Sequence, residues 1–190
     1  MFSKNNFKSV LIKTENRKTI LVDAGIKGEM LAKAVLASGS KNLDAVFLSS
    51  ISRASWAGFS ELSKIIKIKR LYLPNGPVGK DFQNIPEIKR LWNGEEINGQ
   101  GWKAKSIWGI RISRDGKKWI NRGYSGRKTD SLSYRMLIND YSITTGANSH
   151  FASFKGKNKG KPVEFDIISR REYTQAVKLY KDKINVCKIQ

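Results

Sequence analysis

Short apolar runs, broken at regular intervals by Gly, Pro, Asn and Asp, set the rhythm of this chain. Phe7 to Lys13 (FKSVLIK) and Thr19 to Val22 (TILV) predict two strands around a turn at Glu15-Asn16-Arg17. Glu29 to Leu36 (EMLAKAVL) has apolar residues at helical spacing and stops near Ser38-Gly39-Ser40. Ala45 to Leu48 predicts a buried strand. A Ser-rich turn follows, and after Gly58 the positions Phe59, Leu62, Ile65 and Ile66 repeat at helical spacing. Arg70 to Leu73 is the next strand, before Pro74-Asn75-Gly76-Pro77. Alternating strands and helices predict a sheet covered by helices.

The second half has a different texture. Glu87 to Leu91 predicts a helical turn. Between Ile97 and Ile120, Gly99, Gly101, Gly109 and Gly116 punctuate Trp- and Ile-containing runs, which predicts an antiparallel meander with a hairpin at Arg114-Asp115-Gly116-Lys117. Asn121 to Asp130 predicts an exposed loop, and Leu132 to Leu137 with Tyr141 to Thr145 a strand pair. Ser153 to Lys161 (SFKGKNKGK) reads as a basic mobile loop. The chain then ends as strand (Val163 to Ile168), helix (Glu172 to Tyr180) and strand (Ile184 to Ile189). Neither an internal repeat nor a linker interrupts it, so residues 1–190 are expected to form a single domain.

Charge changes the picture most. The 190 residues hold 36 Lys and Arg against 16 Asp and Glu, a formal net charge of +20. An excess this large repels itself in the compact state and points to a polyanionic partner. Nucleic acid leads, an anionic membrane surface is the second reading, and a purely solubilising charge is the third. Cys187, the single cysteine, lies in an alternating segment and forms no internal disulfide, so it is read as a packed strand residue. With no apolar run of spanning length and no signal-peptide core, a soluble cytoplasmic protein is expected.

The ordered set SVLIKT, KTILVDAG, LDAVFLSS with WAGFSEL, KRLYLP and DSLSYRMLINDYSITTGA resembles the metallo-β-lactamase fold. It is most similar to the soluble domain of ComEC-type DNA-uptake proteins. The resemblance implies an α/β protein, a four-layer α/β-β/α sandwich, here shortened in its C-terminal half. It also implies a site at the sheet edges, where a His-x-His-x-Asp-His turn holds two metal ions, commonly zinc. In this chain Ser50 and Ser52 stand at the first two histidines, Ala54 at the Asp and Ser55 at the last His, while Ala147 stands at a later bridging Asp. Asp23 matches the family's structural Asp-x-Gly turn.

Zinc needs neutral imidazoles, thiolates or carboxylates, and it activates water only while held by them. A serine hydroxyl stays protonated at neutral pH, and alanine offers no donor. No metal or other cofactor is therefore expected, and the chain reads as a pseudo-enzyme. A serine nucleophile would need a base, and the only histidine, His150, is read as a loop residue.

With catalysis set aside, the basic clusters are the candidate binding residues. Arg111, Arg114, Lys117, Lys118, Arg122, Arg127 and Lys128 crowd the meander, interleaved with Trp108, Trp119 and Tyr124. Lys155, Lys157, Lys159 and Lys161 form the second cluster, and Lys64, Lys67, Lys178, Lys181 and Lys183 are assigned to helices. Basic groups neutralise phosphates and aromatics stack on unpaired bases, although tryptophans in a meander also serve as sheet packing. The expectation is a non-catalytic protein that binds nucleic acid, single-stranded DNA first, with little sequence preference. The alternative is a structural or regulatory subunit that docks onto another protein.

Overall fold

The computed structural model describes residues 2–4, 7–14, 16–50, 53–74, 82, 85–92, 94–108, 110–112, 118–120, 132–138, 141–146, 151–158, 161–168, 174–180 and 183–189. In chain order these form β1 (Phe2–Lys4), β2 (Phe7–Lys13), β3 (Thr19–Val22), α1 (Gly28–Ala37), β4 (Asn42–Leu43), β5 (Ala45–Phe47), α2 (Arg53–Trp56), α3 (Phe59–Ile65), β6 (Lys67–Ile68), β7 (Arg70–Pro74) and β8 (Glu87–Leu91). There follow β9 (Glu96–Gly99), β10 (Trp102–Trp108), β11 (Ile110–Ile112), β12 (Lys118–Ile120), β13 (Leu132–Ile138), β14 (Tyr141–Gly146), β15 (Phe151–Asn158), β16 (Lys161–Ile168), β17 (Thr174–Tyr180) and β18 (Lys183–Ile189).

Two large sheets carry the fold among the described residues. One has eight strands in the order β18-β17-β1-β2-β3-β5-β7-β8, and the other six in the order β16-β15-β14-β13-β10-β9. Strands β3, β5, β7 and β8 run parallel, with Ile20 opposite Ala45, Val46 opposite Leu71 and Arg70 opposite Glu87. In the six-stranded sheet every neighbour is antiparallel, as in the pairing of Lys103 with Leu137 and of Ser142 with Lys155.

Side-chain parity sorts the first sheet into two cores. Ile20, Val22, Ala45, Phe47 and Tyr72 face the second sheet and pack with Trp102, Ala104, Tyr134 and Met136. Phe47 stacks on Tyr72 at 4.5 Å between ring centroids and meets Trp102 edge-on at 5.8 Å. The residues between them, Leu21, Val46, Leu71 and Leu73, face the opposite way and pack under Leu31 and Val35 of α1 and Phe59 and Leu62 of α3. Helices, first sheet and second sheet thus form consecutive layers. A helical layer on the outside of the second sheet is not among the described residues.

Three local expectations are corrected. Glu87–Leu91 is the edge strand β8 rather than a helical turn. Its Glu, Lys and Arg favour helix locally, but parallel pairing with β7 decides the outcome. The helix expected up to Tyr180 is strand β17, because all seven of its residues pair with β18. The basic loop expected from Ser153 is strand through Asn158, paired with β16 from Lys155↔Glu164 to Asn158↔Lys161. Consequently Lys178 and Lys183 sit on strands, as does Lys67 in β6; Lys181 lies outside the described residues. Cys187 is on strand β18, as its alternating neighbours predict.

At the starts of β3 and β5 the chain is clamped by Asp44. Its backbone N–H donates to Thr19 O at 2.8 Å, and its carboxylate accepts from Thr19 N at 3.0 Å and from Lys69 Nζ at 2.8 Å. Burial works against its charge, but the bonds from Lys69 and Thr19, with Lys18 nearby, hold the carboxyl below the usual carboxylate range. A carboxyl with a depressed folded pKa stabilises above its unfolded value, and that contribution disappears as pH falls through the folded one. Asp44→Asn should therefore lower the melting temperature at neutral pH, with the difference from wild type narrowing below about pH 4. A gap that stays constant from pH 7 to pH 3 in thermal melts would remove the carboxylate from this role.

Candidate functional site

The candidate site is at the other end of β3 and β5, where the chain leaves the sheet. β3 ends at Asp23, whose φ of 61° puts a non-glycine residue in the left-handed region. Asp tolerates that conformation better than most residues, though at a cost of about 1–2 kcal/mol. Here the conformation places the carboxylate against the end of β5. Oδ1 accepts from Ser49 N at 2.7 Å and Oδ2 from Ser49 Oγ at 2.8 Å.

The hydroxyls continue outward from this carboxylate. Ser49 Oγ lies 3.1 Å from Ser55 Oγ, which lies 2.9 Å from Ser50 Oγ. A hydroxyl has one proton, and that of Ser49 is committed to Asp23. Ser55 must therefore donate to Ser49, and Ser50 to Ser55. All three are buried, with Ser49 fully enclosed and Ser50 and Ser55 each 5% exposed.

Backbone bonds lace the same corner. Ala24 N donates to Ser55 O at 2.6 Å, and Gly58 N to Ala24 O at 2.8 Å. Gly58 has no room for a side chain: a Cβ there would lie 1.8 Å from Ile26 O. Glu61 of α3 accepts from Gly28 N at 2.7 Å, so one helix satisfies the first free amide of the other. From the second sheet, the buried hydroxyl of Tyr134 donates to Leu48 O at 2.6 Å. Burial pushes the Tyr134 phenol well above its usual pKa, and the neighbouring Asp23 charge adds to the rise.

The residues expected at metal-ligand positions are partly brought together. Ser50 and Ser55 share a hydrogen bond; Ala54 is on α2; Ser52 and Ala147 lie outside the described residues, as does His150. Among the described residues the donor set at this corner does not suit zinc. Its oxygens are protonated hydroxyls bonded to one another and a carboxylate bonded to Ser49. Among the described residues no group of three or more His, Cys, Asp or Glu comes together. Ser49, whose hydroxyl donates to Asp23, is fully enclosed, so no substrate can reach it.

The fold has counterparts in solved structures. The metallo-β-lactamase fold protein YhfI from Bacillus subtilis is similar at a TM-score of 0.53 and 14% identity, over 74% of this chain and 54% of that one. The chain has the metallo-β-lactamase fold. A B3 metallo-β-lactamase with an active-site glutamic acid matches at 0.51 and 10% identity, over 87% of this chain and 60% of that one. Zn2+-bound PqqB from Methylobacterium extorquens matches at 0.50 and 11%, over 72% and 51%. The metallo-β-lactamase-fold chain thus spans little more than half the length of these structures. No protein-family model matches it. No curated protein matches it either. Identities of 10–14% carry the fold and leave the chemistry to the residues themselves.

Those of the expected basic residues that are described fall on two antiparallel strand pairs. Arg111 and Lys118 are on β11 and β12, where Arg111 pairs with Trp119 and Ile112 with Lys118. Lys155 and Lys157 are on β15 and Lys161 on β16. Arg114, Lys117, Arg122, Arg127, Lys128 and Lys159 lie outside the described residues. Trp102 is a core residue, 5% exposed. Sequence reasoning passed over Lys103, Lys105 and Arg135, which are exposed on the second sheet. The alternation in WKAKSIW was their signal, since it puts Trp102, Ala104 and Ser106 inside and both lysines outside.

Substitutions at two positions probe the corner. Asp23→Ala should destabilise by about 3 kcal/mol, because it strands the buried Ser49 donors, while Asp23→Asn keeps one acceptor and should cost less. Denaturant unfolding measures both, and equal losses would contradict the bonding described. Tyr134→Phe should cost about 1–2 kcal/mol by leaving Leu48 O without its donor. A phenol with a raised folded pKa loses stability as pH climbs past its unfolded value near 10, so the variant should also show a weaker alkaline decline in melting temperature.

Proposed function

We propose that this chain is a non-catalytic metallo-β-lactamase-fold protein that binds nucleic acid, single-stranded DNA being the first ligand to test, through its basic surface. The observation that carries the reading is the corner at Asp23. Of the positions that match metal ligands in the resemblance, Ser50, Ser52 and Ser55 are serines and Ala54 and Ala147 alanines, and Ser50 and Ser55 lie in the hydroxyl chain that leads to Asp23. Charge then becomes the feature on which recognition can act. A net charge of +20 suits a phosphate backbone, whose neutralisation releases condensed counterions. The ordered motifs that resemble ComEC-type DNA-uptake proteins favour the same partner class. In this reading Ser50, Ser52, Ala54, Ser55 and Ala147 are the vacated ligand positions.

A second reading, docking onto another protein as a structural or regulatory subunit, has one observation in its favour. The edge strand β8 exposes Ile88 at 40%, and just beyond it Trp92 is exposed at 59%. An open strand edge beside an exposed aromatic is suited to pairing with another chain.

The nucleic-acid reading predicts that an oligo-dT strand binds at low salt, that log K falls linearly with log salt, and that EDTA leaves the affinity unchanged. Fluorescence anisotropy over a salt series measures this. No binding to single- or double-stranded DNA or RNA at low ionic strength would dispose of the reading. Near-stoichiometric zinc in the purified protein would dispose of the vacated site.

A further inference from the structure

On the outer face of the six-stranded sheet, the described residues of β10 and β13 are exposed. On β10, Lys103 and Lys105 are exposed while Trp102, Ala104 and Ser106 are buried; on β13, Arg135 and Leu137 are exposed while Tyr134 and Met136 are buried. Residues directly opposite in a ladder share a face, so register extends this surface across the sheet. One row runs Lys103, Leu137, Ser142, Lys155, and the next Lys105, Arg135, Thr144, Ser153.

The charges on these rows are ordered. β10, β13, β14 and β15 contain no Asp or Glu, and their sequences include Lys103, Lys105, Arg135, Lys155 and Lys157. Acids occur only on the two edge strands: Glu96 on β9, and Glu164 and Asp166 on β16. From Lys103 to Lys155 is three strand spacings, or about 14 Å. In strand order, basic residues thus occupy the central strands of the sheet and the acids its two edge strands. Glu96 pairs with Lys105 at 2.8 Å, an exposed contact that phosphate can displace at little cost.

We infer that this face, rather than the segment from Arg111 to Lys128, is the principal docking surface for the phosphodiester backbone of a nucleic acid strand. The inference rests on the nucleic-acid reading above and names the place where binding occurs. Charge complementarity selects this occupant. Leu137 is the one exposed apolar side chain described on the face, at 43%. A partner helix would need an apolar sheet beneath it, and a membrane would need apolar groups to insert.

Lys103→Gln, Lys105→Gln and Arg135→Gln combined should reduce the magnitude of the salt slope for oligo-dT by about two, from about 0.7 per lost phosphate contact. Affinity at low salt should fall by roughly ten- to a hundredfold. The control carries the same charge change in and beside α1, at the exposed residues Lys27, Lys33 and Lys41, and should bind nearly as wild type. Circular dichroism and melting temperature confirm that both triples fold, and single substitutions at Lys103 and Arg135 serve if the triple does not. Equal losses in the two triples would overturn the face and leave the nucleic-acid reading standing. An unbound wild type would overturn both. Loss of binding to phosphatidylglycerol vesicles in the face triple, with oligo-dT binding intact, would assign the face to lipid instead.

Discussion

Burial of β3, β5 and β7 on both faces is the constraint on which this structure depends. Ile20, Leu21 and Val22 are all fully enclosed, yet they belong to different cores. A one-residue slip of β3 against β5 would exchange the residues that face the second sheet for those that face the helices. Register is therefore set from two sides, and the ends of these strands are held in place before any polar group acts. What is built at those ends inherits that precision.

At one end Asp44 gathers charged and backbone donors; at the other Asp23 gathers hydroxyls. The difference is physical as well as chemical. The Asp44 cluster includes a lysine at the surface and is open to screening by salt. The Asp23 corner is enclosed, so its bonds act in a medium where an unmade bond is expensive. Imidazoles arranged around an ion would need space and a cation to settle them. Serines fill the same turn with short side chains that satisfy each other, and the glycine at position 58 lets the following helix close down on them.

Much of the first half was legible in the sequence because local pattern and tertiary role agree there. The FKSVLIK and TILV strands, the helix after Lys27 and the helix after Gly58 are observed where alternation and helical spacing place them. The later strands were harder to read, since TQAVKLY has the residues of a helix and becomes a strand only by pairing with β18. EIKRL was misread for a related reason, having one buried residue in five and so almost no pattern. At the site, the serines were visible but their partner was not. Asp23 and Ser49 are 26 residues apart, and only the crossover between parallel strands brings them together. Tyr134, 86 residues from Leu48, was out of reach for the same reason.

The hydroxyl chain also has an electrical direction. Because each proton points toward Asp23, three O–H dipoles are aligned with their positive ends inward, and the carboxylate's charge is spread outward over Ser49, Ser55 and Ser50. The turn thus stabilises the buried Asp23 charge with aligned dipoles from its own chain.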